Sequence, residues 1–209
     1  LKYDMQGYII NFNRVKDEDL IVTVLTKDSV LTLYRFYGAR HSHINLGYKI
    51  DFEAKSSIKS TIPQLSGVLH LANKWNLKHD RMFIWQPFVK LFYLHLKDID
   101  DINEFYFNLL DECSAIWHLQ NPKRVAIEAY VKLLEYEGRL HDEFICFNCE
   151  TPINEDLALI RGFMPAHEKC VWINTFNRLH IEDLFNTKRS MFLSDEDVER
   201  LWKIMLEGF

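Results

Sequence analysis

GYIINFN (7–13), DLIVTVLT (19–26) and VLTLYRFY (30–37) follow one another with only the polar turns VKDE and KDS between them. All three are rich in Val, Ile, Thr, Tyr and Phe, the residues that suit a pleated, half-buried surface. Leu31, Leu33 and Arg35 alternate with Thr32, Tyr34 and Phe36, so both faces of the third segment carry bulk. Two less apolar segments, Leu46–Phe52 and Ala54–Thr61, supply two more expected strands. Five short strands in about 60 residues with no helix between them predict a small closed barrel, which also removes the edges such strands would expose.

From Pro63 onward the period changes. Leu65, Val68, Leu69, Ala72 and Trp75 fall at helical spacing, and a helix is expected there. A second is expected from about Arg81 to Leu96, kinked or started at Pro87. Asp101 to Leu119 reads as a third, with Phe105, Leu109, Cys113, Ile116 and Trp117 on one face. The fourth is bounded by Asn121 as N-cap, Pro122 at the first helical position and Gly138 past the end. A short helix is expected near Asn177–Phe185. Ser194 then caps a terminal helix, with Asp195, Glu196 and Asp197 in its first turn, where the dipole favours acids.

The strongest chemical pattern is Cys146-Phe-Asn-Cys149 followed, after 17 residues, by His167-Glu-Lys-Cys170. Two residues between ligands let both side chains of a knuckle reach one ion. A second knuckle completes a tetrahedron of sulfur and nitrogen donors that suits zinc. Four protein ligands close the site, so a structural zinc is expected rather than a catalytic one. The other readings are a site without metal, its Cys packed as small hydrophobes, and a redox CxxC, which lacks a βαβ frame. Cys113 stands apart on an apolar helix face and reads as a core thiol.

The 209 residues carry 25 Lys+Arg against 30 Asp+Glu, a net charge of −5, so no global basic signature announces a polyanion partner. The distribution is uneven. Residues 1–75 hold 10 basic and 7 acidic side chains, whereas 76–144 hold 8 and 12, and 145–209 hold 7 and 11. The asymmetry assigns any nucleic-acid contact to the N-terminal third. No charged leader followed by an apolar stretch opens the sequence, and the most apolar segment, Met82 to Leu96, is interrupted by Gln86, Pro87 and Lys90. No membrane span and a reducing cytoplasmic setting are expected. GxxxxGK[ST], GxGxxG, GxSxG and HExxH are all absent, and the acidic runs at 17–19 and 195–197 read as a turn and a helix start, so no enzyme is expected.

The order of parts resembles the bacterial recombination mediator RecO family. GYII (7–10) with KDEDLIVTVLT (16–26) is similar to the first two strands of that family's OB-fold. YGAR (37–40) is similar to its Gly-x-Arg turn, and YVKLLEYEG (130–138) before Cys146-x-x-Cys149 and Cys170 to its Leu-rich helix and zinc element. His167 stands where the family usually has Cys. The resemblance implies an α+β fold: an OB-fold barrel over 1–62, a helical domain over 63–144, a zinc-binding element over 145–175, and C-terminal helices over 176–209 packing on the helical domain. It implies a nucleoid-associated protein that binds single- and double-stranded DNA and anneals complementary strands. It also implies work with RecR and single-stranded DNA-binding protein to help load RecA, a helical-domain groove taking the acidic, Phe-ended tail of the latter.

Single-strand binding needs cations along the backbone and aromatic faces for bases. The barrel segment supplies Arg35, Arg40, Lys49, Lys55 and Lys59 interleaved with Phe36, Tyr37, Tyr48 and Phe52, and His41 and His43 beside the Gly38 turn, the last two able to gain phosphate contacts when protonated. Lys123 and Arg124 oppose the dipole in the first turn of a helix, a placement that suits a ligand phosphate or a solvated charge. A reading from another class remains open: a zinc-stapled protein-interaction adaptor without direct DNA binding, docking through its acidic regions and the aromatic helix at 82–96.

Overall fold

A computed structural model of the chain describes residues 4–40, 43–57, 60–97, 99 and 102–208. The fold is α+β, with a closed five-stranded barrel first and helices after it. Two compact units divide it, Leu1–His118 and Leu119–Phe209.

In the first unit, β1 (Asp4–Arg14), β2 (Leu20–Leu25), β3 (Val30–Arg35), β4 (Lys49–Ser57) and β5 (Ser60–His70) close in the order β1-β2-β3-β5-β4. That order, with one parallel seam between β3 and β5, is OB-like. Period-two alternation sends Leu20, Val22 and Val24 of β2, and Ile50 and Phe52 of β4, into a core shared with Ile9, Leu33, Ile44 and Leu65. Gly7 is required by close approach. A Cβ there would sit 2.4 Å from Val24 Cγ1 and 2.7 Å from the Leu25 carbonyl oxygen.

The helix expected from Leu65 to Trp75 is not formed; those residues begin as the second half of β5. The candidates Leu46–Phe52 and Ala54–Thr61 merge instead, for the most part, into β4, so the fifth strand has to come from the next segment. Barrel closure therefore overrides a helical spacing that was short and fortuitous. Gly67, at φ +59°, breaks the register beside Ser66, and Pro63 falls in the irregular stretch between the Lys55–Gln64 and Ser57–Ser60 pairs, where no ladder donor is needed.

Beyond the barrel, α1 (His79–Leu96) runs through Pro87 as a single helix. α2 (Phe105–Ile116) follows, shorter at both ends than the periodicity suggests. Trp75, Trp85 and Trp117 lie edge to face or tilted, with centroids 4.8–6.1 Å apart, and Phe88 stacks on Trp117. Their indole donors are all used: Trp85 Nε1 reaches the Gly47 carbonyl at 2.8 Å, Trp75 Nε1 the Ser114 carbonyl at 2.9 Å, and Trp117 Nε1 the Arg81 carbonyl at 3.2 Å. α1 and α2 thus share one aromatic core with Tyr8 of β1, which explains why the unit boundary falls just after α2, at His118, inside the stretch that periodicity groups together.

The second unit is built on α3 (Pro122–Tyr136), capped by the Asn121 side chain and followed by Gly138 at φ +67°. A small hairpin, β6 (Ala158–Ile160) and β7 (Met164–Ala166), precedes the four-residue helix α4 (Glu168–Val171). α5 (Arg178–Thr187) starts at the Asn177 cap, and α6 (Asp195–Leu206) starts at Ser194, whose Oγ accepts from Asp197 N at 3.0 Å. Lys123 and Arg124 serve this unit internally. Lys123 pairs with Glu199, while Arg124 binds Asp195 and the Ser190 and Leu193 carbonyls. They fasten α3 to α6 and its approach. No helix among the described residues is long and apolar enough to cross a membrane.

Candidate functional site

Two arrangements carry chemistry. The first is in the second unit, where Cys146, Cys149, His167 and Cys170 converge, their ligand atoms all within 4.8 Å of one another. Local backbone makes each knuckle. Cys146 N donates to the Thr151 carbonyl at 2.9 Å and Glu150 N returns to the Cys146 carbonyl at 2.9 Å, with Glu150 in the left-handed region. The β6–β7 hairpin delivers His167 at the end of β7, and one turn of α4 brings Cys170 back, its N–H on the His167 carbonyl at 3.0 Å. Cys149 Sγ lies 3.3 Å from His167 Nδ1, and His167 N points at Cys146 Sγ from 3.5 Å.

Burial opposes ionisation of Cys146, but the N–H groups of His167, Cys149 and Asn148 outweigh it and bring the thiol down to about 6. The Thr151 hydroxyl and N–H lower Cys149 as well, and the two sulfurs raise His167. Cys170 is shifted the other way, raised by burial and then by the Cys149 and Cys146 sulfurs, so without an ion the thiolate is favoured at Cys146 and Cys149 alone. Zinc bonds of about 2.3 Å to sulfur and 2.0–2.1 Å to nitrogen imply edges of roughly 3.5–3.8 Å between ligand atoms. The four side chains therefore fit one metal ion with little contraction. Cys146 and His167 are buried, Cys170 is half-buried and Cys149 is exposed, so the ion would be reached from one side.

The second arrangement is on the barrel, at the end of β3. Asp19, just before β2, organises it: its carboxylate accepts from Tyr34 Oη at 2.6 Å and from Tyr37 N at 2.7 Å. Those bonds, the tyrosine hydroxyl first, hold the Asp19 carboxyl below the usual range. Phe36 packs edge-on to Tyr34 at 4.9 Å. Tyr37 adopts φ +51° and leaves its ring 59% exposed, and Phe36 is 50% exposed. The Arg40 guanidinium lies 5.4 Å over the Tyr37 ring, pairs with Glu18 and keeps 65% of its side chain in solvent. Exposed aromatic side chains beside a cation are what a stacking platform for bases requires.

The remaining sequence-assigned residues separate. Arg35, half-buried, donates from Nη1 to the Leu65 carbonyl at 3.0 Å and bridges the β3–β5 seam. Lys49 Nζ donates to both Asp111 oxygens at 2.6 and 2.9 Å. Lys55 pairs with Glu53 at 3.2 Å and stays exposed, as does His43. Tyr48 packs on the barrel core and stacks on His70. His41 and Lys59 lie outside the described residues. The sequence reading passed over Asp19, Glu18 and Asp111, the acids that position the cations and aromatics. Only the run Asp17-Glu18-Asp19 before a strand hinted at two of them.

A pocket of about 500 Å³ opens against the middle of α1, lined by Asn11, Phe12, Leu46, Phe83, Pro87 and Lys90. Lys90 Nζ donates to the buried Asn11 Oδ1, and burial lowers its pKa.

Residues 5–76 match the family model described as RecO N terminal, a span that holds all five barrel strands and ends just past β5. No curated protein matches the chain.

Proposed function

We propose that a chain with a RecO-type N-terminal domain serves DNA repair and homologous recombination as a non-enzymatic, cytoplasmic, nucleoid-associated mediator. It binds single- and double-stranded DNA and anneals complementary strands. The observation that carries this reading is the match of residues 5–76 to RecO N terminal, which covers the whole barrel. The platform of Phe36, Tyr37 and Arg40 supports it, because annealing needs base faces held open and phosphate charge neutralised rather than a nucleophile or general base. Arg40, Lys55 and His43 are the exposed cations and imidazole of the barrel that this reading assigns to phosphate contact. Arg35 ties β3 to β5, and Lys49 ties β4 to α2. The cysteine–histidine cluster takes a structural zinc, since four protein ligands leave no position for water.

In this reading the protein works with a RecR-like partner and single-stranded DNA-binding protein to help load RecA. The seat for the acidic, Phe-ended tail is the pocket beside Pro87. What supports that seat is its apolar wall of Phe12, Leu46 and Phe83 and the single ammonium of Lys90, which among the described residues has no carboxylate partner. The adaptor reading draws on Trp172, 87% exposed just after Cys170, and on the exposed Phe147 between the first two cysteines.

The test is annealing of two complementary fluorescent oligonucleotides, with and without protein, at low and near-physiological salt. Salt-sensitive acceleration is expected. No binding and no acceleration at either salt would overturn the DNA reading and leave the adaptor.

A further inference from the structure

On the side of the first unit where β1, β4 and β5 meet α2, a second pocket of about 580 Å³ is polar. Its wall includes Tyr8, Lys49, His70, Asn73, Asp111 and Ser114. Its size lies in the range of small-ligand sites, roughly 300–1,000 Å³. The polar groups are held in fixed positions. Tyr8 Oη donates to Asp111 Oδ1 at 2.6 Å, Lys49 Nζ clamps both oxygens of the same carboxylate, and Asn73 Nδ2 donates to Ser114 Oγ at 2.9 Å. Lys49 is further fixed over the Tyr8 and Phe107 rings at 5.7 and 5.1 Å.

One wall is an aromatic floor. The His70 ring lies parallel to Tyr48, with centroids 3.8 Å apart and planes 3° from coplanar. Tyr48 covers one face of the imidazole and does not line the pocket, whereas His70 does. His70 Nε2 is buried and, among the described residues, has no hydrogen-bond partner. Burial, and after it the neighbouring His43, lowers the His70 pKa. A flat ring backed by a second ring thus shares the pocket wall with a carboxylate and an ammonium held side by side.

We infer that this pocket takes a single unstacked nucleobase, laid on the free face of His70 with its polar edge toward Lys49, Asp111 and Ser114. Stacking on an aromatic ring is sequence-tolerant, because every base has a π-face. The edge groups then select for a base with both a donor and an acceptor. Asp111 Oδ2 receives one bond, from Lys49, and keeps an acceptor position for an exocyclic amine, while the Lys49 ammonium donates to a ring nitrogen or carbonyl. The site differs from the Tyr37 platform, which is open and has no built polar edge. It also gives Lys49 and Tyr48 a role that does not require them to be free on the surface. The inference deepens the DNA-binding reading, in which an annealing protein holds bases apart from their neighbours; the same chemistry is offered by a free nucleotide.

The probe is 2-aminopurine, whose fluorescence falls on stacking, used both as the deoxynucleoside monophosphate and as one residue in a single-stranded oligonucleotide. Wild-type protein is compared with His70→Ala and His70→Phe, and duplex affinity is read in parallel by anisotropy. Quenching of both probes is expected in wild type and in His70→Phe. In His70→Ala quenching is lost and single-strand affinity falls about ten-fold, with duplex affinity unchanged. If the alanine protein does not fold, the imidazole C–H resonances of His70 in wild type carry the test and must shift on adding the nucleotide. Quenching of the free nucleotide alone, dependent on His70 and with no oligonucleotide or duplex binding by anisotropy, supports the pocket and overturns the DNA reading. Duplex binding with equal oligonucleotide fluorescence in all three proteins, or an unmoved His70 resonance, overturns the pocket and leaves the DNA reading standing.

Discussion

The two halves of the chain are stabilised by different means. The barrel and its two helices bury Trp75, Trp85, Trp117, Phe52, Phe88 and Phe92 at almost no exposure, and every indole N–H in that group has a partner. The segment from Phe144 to Phe176 has two three-residue strands, a four-residue helix and four side chains placed to hold one metal ion. The first region orders itself on apolar burial; the second has little regular structure, buries Ile153, Leu157, Leu159 and Phe163, and would gain further order from an ion held by its cysteines and histidine. Side-chain removal should therefore act on the first through packing and on the second through coordination.

The largest expected effect sharpens that contrast. Cys146→Ser removes the most buried ligand, and the 144–176 element should lose about 3–5 kcal/mol of stability, with elemental analysis falling from one zinc per chain to near none. Well-folded wild-type protein with negligible metal would break the comparison outright. On the other side, Trp85→Ala should cost about 3–5 kcal/mol in a denaturant titration with no change in metal content, because it empties the aromatic core and orphans the Gly47 carbonyl. Gly7→Ala should cost about 1–3 kcal/mol, since the new methyl meets Val24 and the Leu25 carbonyl.

Smaller effects belong to the surface. Tyr37→Ala should weaken single-strand binding by about 1–3 kcal/mol while leaving the melting temperature in place. Asp19 gives a pH signature. Its folded-state pKa lies below the ordinary 3.8, so its contribution is complete above that value and is lost as pH falls through the folded value. The Tyr34 partner is raised above 10.0, so its own contribution is present below pH 10 and lost as pH climbs through the folded value. The stability difference between wild type and Asp19→Asn should therefore be flat across neutral pH and shrink below about pH 4.

What the sequence disclosed follows the same division between local and distant causes. β1 to β3 were legible because alternation and two short turns are local signals. The α3 helix was legible because Asn121, Pro122 and Gly138 mark its ends, and the metal cluster because knuckle spacing is itself the geometry. β5 was not. Leu65, Val68 and Trp75 carry a helical spacing, and only closure of a barrel already missing its fifth strand makes them part of a strand and a turn. Arg35, Lys49, Lys123 and Arg124 looked like solvent or ligand cations because their partners lie far along the chain: the Leu65 carbonyl, Asp111, Glu199 and Asp195. The Tyr48–His70 stack was hidden for the same reason, since 22 residues separate rings that only the β4–β5 hairpin brings together.

The most direct test of the assignment of DNA to the barrel is amide hydrogen exchange on the full chain, with and without a saturating single-stranded oligonucleotide at low salt. Slowed exchange confined to the barrel unit and strongest around residues 34–40 is the expected result. Slowed exchange over residues 144–192 instead, or none anywhere at saturation, would contradict it.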